Sequence, residues 1–80
     1  MKLLSIGFGS FLAANKIISV LSPDSAPIKR SVQDARETGN LIDASFGRST
    51  KSVIVMDNGT LILSSRSSDE LSKELMADLL

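Results

Sequence analysis

Two apolar runs, Val53-Ile54-Val55-Met56 and Leu61-Ile62-Leu63, stand on either side of Asp57-Asn58-Gly59-Thr60. Asn-Gly between hydrophobic runs specifies a tight hairpin, expected here as a two-residue type I′ connection with positive φ at both central residues. Neither run alternates polar with apolar, so both faces of the hairpin need cover. That requirement constrains the rest of the chain. Eighty residues make one domain, near the lower limit for a core that stands alone. One helix covers one face, and little is left for the other. Self-association is the economical solution, so a homo-oligomer is expected. The alternative is a monomer whose last helix covers the second face.

Leu3–Ile6 and Ser10–Ala14 flank Gly7-Phe8-Gly9 and read as short strands or one bent strand, with the glycines permitting a bulge. Asn15-Lys16 reads as a turn and Ile17–Leu21 as a β-branched strand, and these pieces are expected to form an antiparallel hairpin. Ser25 is the expected N-cap of a helix with Pro27 in its first turn. Ile28, Val32 and Ala35 form its apolar stripe and Gly39 its stop. Arg30 and Asp34 sit at i,i+4 on the solvent side, as a pair. Leu41–Ala44 adds a short strand. Ser67 with Glu70 makes a capping box for a last helix lined by Leu71, Leu75 and Leu79. The expected fold class is α+β: about five strands in a small, mainly antiparallel sheet, one central helix and a C-terminal helix. Residues 1–66 form the binding and oligomerisation unit, and residues 67–80 an acidic amphipathic helix.

The chain contains no histidine, cysteine, tyrosine or tryptophan, which removes most nucleophile–base pairs and thiolate or imidazole metal sites. No serine has a lysine three positions later, and Gly7-Phe8-Gly9 lacks the third glycine of a dinucleotide loop. Asp43 and Asp57 lie near strand ends, where acids are turn formers and salt-bridge partners more often than an acid pair. No enzyme, cofactor, metal or small-molecule substrate is therefore expected. Met1–Ala14 has the outline of a signal peptide, but Ser5, Gly7, Gly9 and Ser10 interrupt it, so it is read as part of the domain. No run approaches the ~18 apolar residues of a membrane span. A cytoplasmic protein with no membrane partner is expected.

A binding protein remains. Its zero net charge hides an asymmetry: residues 1–68 carry eight basic against five acidic residues, and residues 69–80 one against four. The cations of interest lie in Ser45-Phe46-Gly47-Arg48-Ser49-Thr50-Lys51, just before the first hairpin strand. Arg48 and Lys51 supply charge, while Ser49 and Thr50 add hydroxyl and backbone donors of the kind that hold phosphate oxygens. Lys16 joins the same groove if its turn is a neighbour. Phe8, Phe11 and Phe46 are expected in the core, which argues against stacking on single strands. Double-stranded DNA, bound by its backbone, is the expected partner.

From Ile6 to Ser64 the chain also resembles the bacterial RemA-type, or extracellular matrix regulatory (DUF370), family. The resemblance is carried by Ile6-Gly7-Phe8-Gly9, Ala14-Asn15-Lys16, Ser22-Pro23-Asp24-Ser25-Ala26-Pro27-Ile28-Lys29-Arg30, Gln33-Asp34-Ala35-Arg36, Leu41-Ile42-Asp43-Ala44, Gly47-Arg48 and Val55-Met56-Asp57. It implies a DNA-binding regulator of biofilm matrix genes, with a fold similar to the LytTR domain. The subunits would form a closed homo-oligomeric ring whose exterior contacts DNA. Lys16 matches a family arginine. Gly47-Arg48-Ser49-Thr50-Lys51 matches a Gly-Arg-Arg-Thr-Arg pattern, with serine replacing its second arginine and lysine its third, so charge persists where the planar fork is lost. Lys29 and Arg30 also match, with a role at either DNA or a subunit interface. A rival reading is a protein-interaction scaffold that docks a partner through the Leu71/Leu75/Leu79 helix.

Overall fold

The computed structural model describes residues 2–77. Six strands and two helices follow one another as β1 (Leu3–Gly7), β2 (Ser10–Ala13), a single 3-10 turn (Ala14–Lys16), β3 (Ile17–Leu21), α1 (Ala26–Thr38), β4 (Leu41–Asp43), β5 (Ser52–Met56), β6 (Leu61–Ser64) and α2 (Ser68–Ala77). The fold is α+β. β1 and β2 make a two-stranded antiparallel ribbon, and the other four form a sheet in the order β3-β5-β6-β4.

That sheet is mixed. β5 pairs antiparallel with β3 and β6, but β4 runs parallel to β6, with Leu41, Ile42 and Asp43 opposite Leu61, Ile62 and Leu63. β3-α1-β4 is thus a helical crossover between two like-directed strands, opened so that the β5–β6 hairpin sits between them. Parallel strands need such a crossover of a dozen residues or more, and the 13 residues of α1 supply it. Two expectations are corrected here. β3 does not join a hairpin with β1 and β2 but pairs with β5, because the Ala14–Lys16 turn redirects the chain into the larger sheet. The Asp57-Asn58-Gly59 connection is a three-residue loop rather than a two-residue one.

In that loop Met56 bonds to Thr60 and Gly59 N–H returns to the Met56 carbonyl at 3.0 Å. Gly59 alone takes positive φ (86°), while Asn58 stays negative. This is the type I turn with a glycine bulge that three-residue hairpins use.

The helix signals operate as read. Ser25 Oγ accepts from Ile28 N–H, and Gly39 ends α1 at φ 78° with Asn40 N–H bonded to the Ala35 carbonyl. Arg30 and Asp34 form no ion pair. Ser67 Oγ accepts from Glu70 N–H at 3.1 Å, and the Ser67 hydroxyl donates back to the Glu70 carboxylate at 3.2 Å, opening α2.

The alternation of the sheet sorts its apolar side chains into two layers. Val53 and Leu63, opposite each other, lie under Val32 of α1. Ile54 and Ile62 face the other way, into a cluster with Leu4, Ile6, Ala44 and Leu71. Ile54 and Leu71 are 0% exposed, so the second face of the hairpin is covered by β1 and α2 of the same chain. The cover expected from a second copy comes from within. Leu75 packs at the margin of this cluster, and Leu79 lies outside the described residues.

Arg66 ties the two covering elements together. Its guanidinium donates to the Ser5 carbonyl at 2.8 Å, to Glu70 at 3.4 Å, and to Glu74. These hydrogen bonds, with Ser67 contributing most at Glu70 and Arg66 at Glu74, hold both carboxyls below the usual carboxylate range.

Candidate nucleic-acid interface

The basic segment is built on Asp43, the last residue of β4. Its Oδ1 accepts from Ser45 N–H at 2.9 Å and from the Ser45 hydroxyl. Those two bonds, with a weaker pull from Arg36, hold the Asp43 carboxyl below its ordinary value. Ser45 and Ala44 are buried beneath, so the loop leaves the sheet from a fixed base. Ser45 carbonyl then accepts from Arg48 N–H at 3.1 Å, closing a turn whose central residues are Phe46 (φ 52°) and Gly47 (φ 81°). Two successive positive φ values are the signature of a type I′ turn. Lys51 N–H bonds to the Ser64 carbonyl at 2.8 Å and delivers the chain into β5.

A second turn with the same signature lies beside it. Gly7 and Ser10 are cross-strand partners, and Phe8 (φ 54°) and Gly9 (φ 77°) connect them. The two phenylalanine rings meet edge to face at 5.4 Å, and the Arg48 guanidinium lies 5.3 Å from the centre of the Phe8 ring. Phe8, Phe11 and Phe46 are all exposed, which corrects their expected place in the core. The signal missed was the glycine following Phe8 and Phe46: it marks a turn tip, and turn tips face water.

Phe8, Arg48, Ser49, Lys51 and Ser65 line one open, polar cleft of about 420 Å³. Thr50 does not join them. Between Ser49 and Lys51 the extended chain alternates sides, and Thr50 turns into a groove with Lys29, Val32, Arg36 and Val53. Lys29 is thereby placed beside the loop, and so is Arg36, to which the sequence motifs assigned no role. Its spacing from Lys29, seven residues or two turns, was the available sign.

Lys16 stands elsewhere. Its carbonyl accepts from Asp57 N–H at the far end of β5, and its ammonium pairs with the Asp57 carboxylate at 3.7 Å. Lys51 and Asp57 are six steps apart along the extended chain, roughly 20 Å. Lys16 does not share a groove with Arg48 within the chain. Asp43 and Asp57 are likewise at opposite ends of the sheet and form no acid pair. Among the described residues no carboxylate pairs with Arg48, Lys51, Lys29 or Arg36, and no group of three or more acidic side chains is gathered for a metal. No described helix is long and apolar enough to cross a membrane.

A family profile described as RemA-like, Extracellular matrix regulatory protein A-like, matches residues 3–75. The chain belongs to the RemA-like family. Extracellular matrix regulatory protein A of Bacillus subtilis is 58% identical over 64 residues, which cover 80% of this chain and 72% of that protein. Relatives in Geobacillus kaustophilus (51% identical over 75 residues, 94% of this chain and 86% of that protein) and Desulfitobacterium hafniense (49% over 77 residues, 96% and 85%) extend the likeness. The RemA-like match runs past Ser64 into α2, further than the sequence motifs alone. That extent takes in Leu71 of the buried cluster.

Proposed function

We propose that this RemA-like chain is a cytoplasmic transcriptional regulator that binds double-stranded DNA, chiefly through phosphates. The observation that carries the reading is the uncompensated cation pair Arg48 and Lys51, held with Ser49 on a turn anchored to buried residues. Charges without internal partners, presented on a rigid base, neutralise phosphates at low ordering cost. Lys29, Arg36 and Thr50 continue the basic surface around the same corner. The regulatory name of the Bacillus subtilis relative points in the same direction, with genes of the extracellular matrix as targets.

The homo-oligomeric ring belongs to the same proposal. β3 and β4 are the two outer strands of the sheet and carry exposed Ile18 and Ile42. Joining one edge to the opposite edge of the next copy is a heterologous contact, which closes into a ring when the rotation permits. A ring multiplies a small footprint, and a LytTR-like arrangement would set each basic corner on its rim. The scaffold reading gains nothing, because Leu71 is spent inside the chain.

The test is fluorescence anisotropy of a labelled ~30-base-pair A·T-rich duplex at about 50 mM salt and at a higher concentration. Affinity should fall with a log–log slope of about −0.9 for each phosphate neutralised. A flat response, or no binding at low salt, would overturn the reading.

A further inference from the structure

Phe8 and Phe46 present a physical problem. Each holds a left-handed backbone that a bulky L-residue adopts only under strain. Each also leaves its ring at least half in water, at 50% and 63% exposure. Neither strain nor exposure is repaid by core packing. Yet the two rings are fixed, because two separate tight turns bring them into edge-to-face contact and Arg48 packs on the Phe8 ring. Strained, exposed and mutually ordered aromatic groups mark a surface prepared for a partner.

The charge around them selects the partner. The rings lie beside the cleft of Arg48, Ser49, Lys51 and Ser65, with no carboxylate in its lining. An apolar prow flanked by cations fits a groove whose walls are phosphate and whose floor is stacked bases. Resting on the DNA-binding reading above, we propose that Phe46, buttressed by Phe8, is a wedge that enters the minor groove and partly unstacks one base step. Arg48 and Lys51 would then hold the phosphates on either side of the opened step. Proteins that insert Phe, Leu or Ile in this way kink the duplex, and the cost is least at flexible pyrimidine–purine steps such as TA. The preference for sequence would then come from deformability, with no hydrogen bond to a base edge required.

The experiment uses the full chain and a 30-base-pair duplex with a central TA step. The duplex carries 2-aminopurine at that step and a donor–acceptor pair at its ends. Wild-type protein should raise both the 2-aminopurine emission and the end-to-end transfer. Phe46→Ala should abolish both and weaken binding about tenfold, with the salt slope unchanged. Phe46→Leu, which keeps an apolar wedge, should retain most of the kink, and thermal unfolding checks that both variants fold. Equal bending by wild type and Phe46→Ala, or straight DNA with wild type, would overturn the wedge and leave phosphate binding standing. No binding by wild type at low salt would overturn both readings. If Phe46→Ala binds as before but sediments as smaller particles, Phe46 serves a contact between copies and the wedge is wrong.

Discussion

The two ends of β5 carry the same ingredients to different effect. At the Met56 end, Lys16 meets Asp57 across 3.7 Å, and the hairpin loop takes an unstrained form with only glycine at positive φ. At the Ser52 end, Arg48 and Lys51 meet no carboxylate, and two phenylalanines sit where glycine or asparagine would be comfortable. One end is settled in charge and in backbone; the other is left unsettled in both. Charge and strain left together at one corner are what the proposed DNA contact rests on.

The largest effect should come from removing both cations of the open end. Arg48→Ala combined with Lys51→Ala should weaken duplex binding by about 2–3 kcal/mol and lower the salt slope by about 1.8, measured by anisotropy across a salt series. Sedimentation should show the assembly unchanged. Dissociation would mean that this corner joins subunits instead.

Next in size is the foundation of the loop. Asp43→Ala should cost about 1 kcal/mol of stability at neutral pH through its lost bonds to Ser45. The Asp43 carboxyl titrates below its unfolded value, so its contribution is present at neutral pH and lost as pH falls below about 4. Urea titrations of wild type and Asp43→Ala should therefore show a stability gap that narrows as pH falls below about 4. A gap independent of pH would show that the carboxylate charge is not what supports the loop.

A smaller change has the opposite sign. Phe46→Gly should stabilise the fold by about 0.5–1 kcal/mol, the relieved left-handed strain less the added chain entropy, while DNA affinity falls. Stability and binding moving apart in one variant is the sharpest form of the contrast between the two ends. If Phe46→Gly destabilises, the ring contributes packing that outweighs its strain.

The smallest effect is expected at the settled end. Lys16→Ala should change duplex affinity by less than about threefold, since an exposed pair such as Lys16–Asp57 contributes only ~0–1 kcal/mol and its charge is already matched. A loss at Lys16 equal to that at Arg48 would break the comparison, and would place the closed end of one copy beside the open end of another.

Much of this was legible beforehand because it is local. Ser25, Gly39 and the Ser67–Glu70 box announce helix ends through hydrogen bonds spanning three or four residues. The apolar runs announce β5 and β6 in the same way. What eluded the pattern is what depends on distant parts. The parallel partner of β6 follows from α1 acting as a crossover, which a strand-by-strand reading treats as a mere connection. The Asn58-Gly59 loop length depends on register, which Lys16 and Thr60 help to set across the sheet. At the candidate site, Arg48, Ser49 and Lys51 were found together because they are neighbours in sequence. The removal of Lys16 and Thr50 from their cleft, and the arrival of Phe8, needed the topology.

The Arg66 clamp has a bearing on how the protein is made. It joins residues 61 apart in sequence, and the nearby bond from Ser64 Oγ to the Ile6 carbonyl joins residues 58 apart. Such long loops close late. While the ribosome is still delivering residues 64–77, Leu4, Ile6, Ile54 and Ile62 wait without the lid that Leu71 provides. The nascent chain thus carries this apolar surface uncovered between the emergence of Ile62 and that of Leu71, and α2 is the element that hides it.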